Sequence, residues 1–322
     1  MSRRALVTGG AGFIGSHVAD TLLARGYEVD IVDNLSTGRR ENAPERAQLH
    51  VMDIGSPDAA QLVSTGQFNV IVHLAAQIDV RKSVADPRFD AITNVVGTLS
   101  LLEAVRASRG AKSTRFVFAS TGGAVYGDFG TPPNVESTAK EPESPYAISK
   151  LSVEYYLTYY ARVHGMDTAS VRYANVYGPR QNAHGEAGVV AIFCGRILEG
   201  LPLRVFGDGS QTRDYVYVGD VAEATVRAAT MPLPPAGRVD DRAFNVGTGV
   251  ETSVVELADR LLAVAGVEQP IEFAPKRPGE QERSSVRIDK ARTVLSWGPQ
   301  LTLDQGLAET YAWFASREAV AG

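Results

Sequence analysis

Tyr146 and Lys150 stand four residues apart in the run Tyr146-Ala-Ile-Ser-Lys150, directly after Pro145. On a helix that spacing puts both on one face, so a phenol and an ammonium project into the same space. A free tyrosine, with a pKa of about 10, is a poor base at neutral pH. A neighbouring lysine favours the phenolate and makes it a usable one. A second candidate is Ser120-Thr121, which follows the apolar run 115–119. Hydroxyls at the end of a central strand can bond to an alcohol or pass on its proton. On residue type alone, the Tyr/Lys pair reads equally as a surface accident and the two hydroxyls as part of a turn.

The meaning of these residues depends on the N-terminal stretch ALVTGGAGFIGS, residues 5 to 16. A short apolar strand runs into Gly9, Gly12 and Gly15, and an amphipathic pattern follows through Val18, Leu22 and Leu23. Glycines at such a turn let the backbone bend sharply and let a pyrophosphate approach. The helix that Phe13 and Ile14 open then offers free N–H groups and a positive dipole end. After this fingerprint the Tyr/Lys pair points to hydride transfer at an alcohol, with the positive ring of an oxidised nicotinamide as a further reason for the phenolate. The second strand ends in Ile31-Val32-Asp33, 18 residues beyond Gly15. An acidic side chain there accepts hydrogen bonds from the adenosine ribose and repels a 2′-phosphate. Arg39 and Arg40 come later, past Gly38, and read as loop surface, so the expected cofactor is NAD rather than NADP. Asn34, Asp53-Ile54 and Leu74-Ala75-Ala76-Gln77 follow the second, third and fourth strands on the same edge. By residue type Asp53 reads equally as a helix cap, and the two alanines as packing.

The elements that must position these residues alternate. Strand-like runs at 29–32, 48–51, 70–74, 115–119 and 169–174 are separated by helical stretches, notably 89–107 and 146–164, and a short strand recurs at 244–246. That rhythm predicts an α/β fold, a Rossmann-like doubly wound parallel sheet. After Asn175 the rhythm becomes irregular, with Arg, Gly and Pro clusters near 178–188, 204–214 and 275–283. These predict a smaller, discontinuous substrate-binding domain. The expected division assigns 1–177 plus about 219–248 to the NAD-binding domain, and about 178–218 plus 249–322 to the substrate-binding domain.

Composition narrows the function classes. A net charge of −5 disfavours nucleic acid as a partner. The single cysteine, Cys194, cannot form an internal disulfide. With no secretory signal read at the N-terminus, the expected compartment is the cytoplasm. No run reaches the ~20 apolar residues that a membrane span requires. One His with one Glu, His184 and Glu186, falls short of a metal site.

With these motifs in hand, the chain resembles the extended short-chain dehydrogenase/reductase family, and within it the bacterial UDP-glucose 4-epimerase group. The resemblance is carried by TGGAGFIG, VDN at 32–34, HLAAQ at 73–77, NVVGT at 94–98, STGGAVYG at 120–127, YAISK at 146–150, RYANVYGPR at 172–180 and GDGSQTRDYVYVGD at 207–220. It implies 4-epimerisation of a UDP-hexose through a transient 4-keto sugar. Tyr146 would act as base, and Lys150 would hold the nicotinamide ribose and lower the Tyr146 pKa. Asn94 would lie along the cofactor. Asn175, Val189 and Arg213 would face the substrate, the first and last at its diphosphate, and Arg277 with Glu280 would hold the uridine ribose. By residue type alone, Arg213 beside Asp214 reads as an ion pair, Asn175 as a turn cap, and Arg277 with Glu280 as closing a Pro-Gly turn. The helices 89–107 and 146–164 carry apolar and aromatic faces, including Leu102, Tyr155 and Tyr159, through which relatives pair as homodimers. Packing on their own sheet would explain them equally.

One departure matters. Relatives with the SSSATVYG form have a catalytic serine where this chain has Gly122, which shifts the hydroxyl role toward Thr121 and leaves Ser120 and Thr121 as alternatives. Gly122-Gly123 also stands where nucleotide-sugar dehydratases carry Asp-Glu, which counts against dehydration. The segment RQNAHGEAGVV after YGP favours neutral sugars over UDP-glucuronate, although Arg180 keeps the latter open. Ser284, at a position where a bulky residue narrows some relatives' pockets, leaves room for UDP-N-acetylglucosamine. A non-catalytic NAD-binding regulator would be expected to lose the Tyr/Lys pair that this chain keeps.

Overall fold

In the computed structural model, residues 3–128, 130–182, 188–276 and 281–321 are described. The first strands and helices alternate as β1 (Arg3–Thr8), α1 (Phe13–Ala24), β2 (Tyr27–Asp33), β3 (Gln48–Val51), α2 (Pro57–Thr65) and β4 (Val70–His73). Then come α3 (Val80–Ala85), α4 (Pro87–Ala91), a π-helical turn (Ile92–Val96), α5 (Gly97–Ala107), β5 (Arg115–Thr121), α6 (Pro145–His164) and β6 (Asp167–Tyr173). Seven parallel strands form one sheet in the order β11-β6-β5-β4-β1-β2-β3, its last member being β11 (Ala243–Val246). Ala5, Leu6 and Val7 have no exposed surface, as required of a central strand covered by helices on both faces. The order reverses at β1 and β4, which opens a crevice at the carboxyl ends of the strands.

The expected helix 89–107 is interrupted: its α-helical hydrogen bonding gives way to the π-helical turn, which carries Asn94 inward to full burial. An extra residue per turn weakens backbone geometry, and such turns persist where a side chain gains a partner. Here Asn94 gains two, described below. Helix α6 starts as its sequence dictates: the Ser144 side chain accepts from the Ala147 N–H, and Pro145 occupies the first helical position.

The remaining elements are β7 (Asn175–Tyr177), α7 (Val189–Leu198), β8 (Leu203–Phe206), β9 (Thr212–Arg213), β10 (Tyr215–Tyr217) and α8 (Val218–Thr230) before β11. After it come β12 (Thr252–Ser253), α9 (Val254–Ala265), β13 (Ile271–Ala274), β14 (Arg283–Ser284), α10 (Asp289–Val294) and α11 (Leu303–Ala321). Small pairings of β7 with β10 and β8 with β13 contribute to a second apolar core built on α7, α9 and α11, and β9 pairs with β12 and β14. Tyr177 joins this second core, whereas Val216, Val286, Ile288, Ala291, Leu295 and Trp297 pack into the large sheet's core. The chain crosses between the layers more often than its motifs suggest.

Candidate active site

The glycine turn packs more tightly than a ligand alone would demand. Gly9 has φ +69°, and a Cβ on it would lie 2.7 Å from the Ala75 backbone nitrogen. A Cβ on Gly15 would stand 2.1 Å from the Gly9 carbonyl oxygen. These glycines therefore fold the turn after β1 against both the turn after β4 and the first turn of α1. Helix α1 has Gly12 at its N-cap, no capping side chain and no acidic residue in its first turn. Its leading N–H groups are thus open to an anion from outside, the arrangement that fits a pyrophosphate. Phe13 and Ile14 in this first turn are half-buried.

Asp33, at the end of β2, accepts from the Ala11 N–H at 3.0 Å and the Leu35 N–H at 2.8 Å, which fixes a buried carboxylate beside the glycine turn. Arg39 and Arg40 are exposed. Asp53 accepts from Asn34 Nδ2 at 3.1 Å and from the Gly55 N–H, while the cap of α2 is Ser56. Asp53 therefore ties the ends of β2 and β3 rather than capping a helix. Ile54 is buried, and Gly97 packs against it so closely that a Cβ there would lie 2.9 Å from Ile54 Cδ1. Leu74, Ala75 and Ala76 are half-buried at the end of β4. Gln77 and Asn94 exchange two bonds: the Gln77 N–H donates to Asn94 Oδ1 at 2.8 Å, and Asn94 Nδ2 donates to the Gln77 carbonyl at 2.9 Å.

Beneath the crevice, His73 is wholly buried between Thr8 and Thr98. Thr98 donates to the Asn94 carbonyl, so His73 Nε2 donates to Thr98 and Nδ1 accepts from Thr8. Burial, reinforced by the charge of Lys150, pushes this imidazole down to about 3 and keeps it neutral.

Lys150 is buried, donates to the Ala119 carbonyl at 2.8 Å, and lies 5.8 Å from the centre of the Tyr146 ring. Burial lowers its pKa to about 8, opposed by the negative charges of Asp90 and Glu154. The Tyr146 hydroxyl has no hydrogen-bond partner among the described residues. Burial and the nearby Asp90 raise its pKa above the ordinary tyrosine value. Among the protein's own groups, desolvation is the larger influence on this phenol and Asp90 the smaller.

The two hydroxyls of β5 part company, as successive strand residues must. Ser120 is buried and donates to Glu154 Oε1 at 2.5 Å, while Glu154 is paired with the fully buried Arg172. Thr121 is half-buried at the crevice. A Cβ on Gly123 would stand 3.9 Å from Thr121 Oγ1, 3.7 Å from Asn175 Oδ1 and 3.8 Å from Ser284 Oγ, so these three groups converge on one spot.

Arg213 donates to the Thr212 carbonyl and makes no ion pair with Asp214. The Asp214 carboxylate instead binds the N–H groups of Thr248, Gly249 and Val286 and the Thr248 hydroxyl. Val189 opens α7, whose N-cap Gly188 leaves the first turn without a capping side chain. Arg277 and Glu280 lie outside the described residues. Sequence reasoning missed Asp90, Ser149, Glu154, Arg172 and Asp214. The arginine inside the apolar run 169–174 was the one signal available, since a charge in a central strand needs a buried partner.

A parallel sheet with a glycine turn at its switch point, an acid ending β2, and a Tyr/Lys pair on a helix beside β5 define a dinucleotide-binding oxidoreductase-type α/β protein. The comparisons narrow this class. The family described as "NAD dependent epimerase/dehydratase family" matches residues 5–247, and the chain belongs to it. It is 46% identical over 319 residues to a UDP-glucose 4-epimerase of Mycolicibacterium smegmatis, covering 98% of this chain and 99% of that one. Among solved structures, it superposes on the Thermotoga maritima UDP-glucose 4-epimerase with UDP-glucose at TM-score 0.91 and 42% identity, covering 98% and 99% of the two chains. The Thermus thermophilus UDP-glucose 4-epimerase complex with NAD gives TM-score 0.88 at 42% identity, covering 97% and 99%.

Proposed function

We propose that this chain is an NAD-dependent 4-epimerase of UDP-hexoses, of the UDP-glucose/UDP-galactose type. The observation that carries the reading is the Tyr146–Lys150 pair at the carboxyl edge of the sheet, in a chain alike over nearly its full length to a UDP-glucose 4-epimerase. Bound NAD would supply reversible hydride acceptance at C4 of the sugar, and the positive charge of its oxidised ring would favour the Tyr146 phenolate against burial. Tyr146 removes the proton of the 4-hydroxyl and later gives it back. Lys150, fixed on the Ala119 carbonyl, holds a positive charge beside the ribose and the phenol. Thr121 is the hydroxyl that reaches the sugar, since Ser120 is committed to Glu154. Gly9, Gly12, Phe13, Ile14 and Gly15 receive the pyrophosphate, Asp33 and Asn34 the adenosine ribose, and Asp53, Ile54, Leu74–Gln77 and Asn94 line the remainder of the dinucleotide. Asn175 and Arg213 face the UDP diphosphate and Val189 another part of the substrate, with Arg277 and Glu280 assigned to the uridine ribose. Such a division grips the nucleotide while leaving the sugar free to turn.

Dehydration is disfavoured by packing. A Cβ at Gly122 would lie 2.9 Å from the Arg172 carbonyl, leaving no space there for an acid. A second substrate, UDP-N-acetylglucosamine, is favoured by the small Ser284 side chain at the convergence point. We also propose a cytoplasmic homodimer. Among the described residues no helix is long and apolar enough to cross a membrane. Phe89, Ile92, Val96, Tyr155, Tyr159 and Val163 leave apolar side chains exposed on α4, the π-helical turn and α6.

The test is turnover of UDP-glucose, UDP-N-acetylglucosamine and UDP-glucuronate without added NAD, followed by chromatography. A C4 epimer is expected from UDP-glucose, reduced by roughly 10²–10⁴-fold in Tyr146→Phe. No epimer from any of the three in NAD-containing protein overturns the reading.

A further inference from the structure

Asp90 is a side chain that neither the glycine turn nor the Tyr/Lys pair accounts for. It sits on α4 with no exposed surface, under a helix face whose outer residues are exposed. Its Oδ2 accepts from the Ser149 hydroxyl at 2.6 Å, and its Oδ1 accepts from Gln77 Nε2 and Asn94 Nδ2, each at 3.0 Å. Among the described residues no lysine, arginine or histidine forms an ion pair with it, in contrast to Glu154, which Arg172 neutralises. A carboxylate buried without a counter-ion is costly and is sustained only by donors on both oxygens. Here all three donors come from separate segments that reach the crevice. Ser149 directly precedes Lys150, Gln77 ends the turn after β4, and Asn94 occupies the π-helical turn.

We propose that Asp90 is a positioning residue for the proposed epimerisation: its carboxylate locks α6 to the Gln77–Asn94 pair, and its uncompensated negative charge sets the electrostatic balance at Tyr146 and Lys150. This rests on the epimerase reading only for what the reaction is. Of the charged or titratable groups on the elements packed around Asp90, α6 contributes Tyr146, Lys150, the paired Glu154, Tyr155 and Tyr156, and its later turns carry Tyr159, Tyr160, Arg162 and His164; α3 contributes Arg81 and Lys82, both exposed; α4 contributes the exposed Arg88; the π-helical turn contributes none. Of these, Tyr146 and Lys150 feel Asp90: its charge raises both. Removing it favours the phenolate and disfavours the ammonium, so both limbs of a pH profile must move the same way.

The experiment compares Asp90→Asn, Asp90→Glu and Ser149→Ala in NAD-loaded protein. For Asp90→Asn both limbs of the kcat profile are expected to shift toward acid by roughly half a pH unit. Asp90→Glu, which keeps the charge, should restore their position. Ser149→Ala, which cuts the tether and keeps the charge, should lower kcat about tenfold with unmoved limbs and unchanged KM. A profile of Asp90→Asn that superimposes on the wild type overturns the electrostatic role, and a wild-type kcat in Ser149→Ala overturns the positioning role. If Asp90→Asn does not fold, Ser149→Ala decides. A readout that needs no substrate is the near-ultraviolet phenolate titration that Tyr146→Phe lacks: its midpoint should fall in Asp90→Asn. Should the wild type epimerise none of the sugars, the epimerase reading fails while this titration still judges Asp90.

Discussion

At the scale of residues, the site depends on what burial does to groups that would be ordinary in water. Ser120 and Thr121 are neighbours of similar chemistry, yet only one hydroxyl is free of a carboxylate. Thr121→Ala should lower kcat by about 10²-fold while leaving unfolding unchanged. Ser120→Ala should keep kcat and lose about 1–3 kcal/mol of stability, because Glu154 loses a buried donor. Parallel kinetics and urea unfolding of the two variants decide the assignment. Lys150 offers a separate check. It titrates at about 8 in the folded chain against an ordinary 10.5. Between those values the unfolded chain holds the extra proton, so stability rises with pH, and the full penalty applies below 8. Lys150→Met should remove that slope and gain on the order of 3 kcal/mol at neutral pH while losing activity. Urea midpoints on either side of the window test the sign.

At the scale of elements, the turn after β1 holds three structures together. A Cβ on Gly15 meets the Gly9 carbonyl at 2.1 Å, and one on Gly12 meets the same oxygen at 3.1 Å. Backbone atoms cannot swing aside as a flexible side chain does. Gly15→Ala should therefore strip NAD from the purified protein, and Gly12→Ala should weaken its binding less. Cofactor content by absorbance after gel filtration orders the two. The same scale contains the Arg172–Glu154 pair, which ties β6 to α6, with Asp240 as a second partner of Arg172 at 2.9 Å. Arg172→Met leaves two acids facing a buried site and should cost about 3–5 kcal/mol, measured by denaturant unfolding.

For the whole molecule, the apolar packing of the large sheet and the core on α7, α9 and α11 are built from a chain that crosses repeatedly between them. The crevice opens at the carboxyl ends of the large sheet, where β5 and the start of β7 bring Thr121 and Asn175 to one spot. Arg180 pairs with Asp20 at 2.7 Å and His17 bonds the Pro179 carbonyl, which fastens the segment after β7 onto α1. The exposed apolar face of α6 belongs to this scale too. Tyr159→Glu with Val163→Glu should convert a proposed dimer to a monomer in sedimentation or light scattering, because two charges on that face cannot be desolvated.

The sheet and the glycine turn at its edge were legible in the sequence because local pattern determines them. Apolar runs of strand length, glycines at a strand-to-helix turn and an acid ending the second strand are short-range signals, and the strand at 48–51 even has its expected bounds. The helix at 89–107 was legible as helix but not as interrupted, because the π-helical turn is sustained by Asn94 reaching Gln77 across 17 residues. Tyr146 and Lys150 could be named from their spacing, whereas the upward drive on the phenol could not, since desolvation exists only once the crevice is walled. That Ser120 is committed to a carboxylate likewise depended on Glu154, 34 residues away. Asp90 had no signal at all: an aspartate on a short helix reads as solvated surface. Periodicity and turn chemistry act through neighbours in the chain and are written there. Burial, counter-charges and hydrogen-bond partners come from segments far apart, and only the packed tertiary structure decides them.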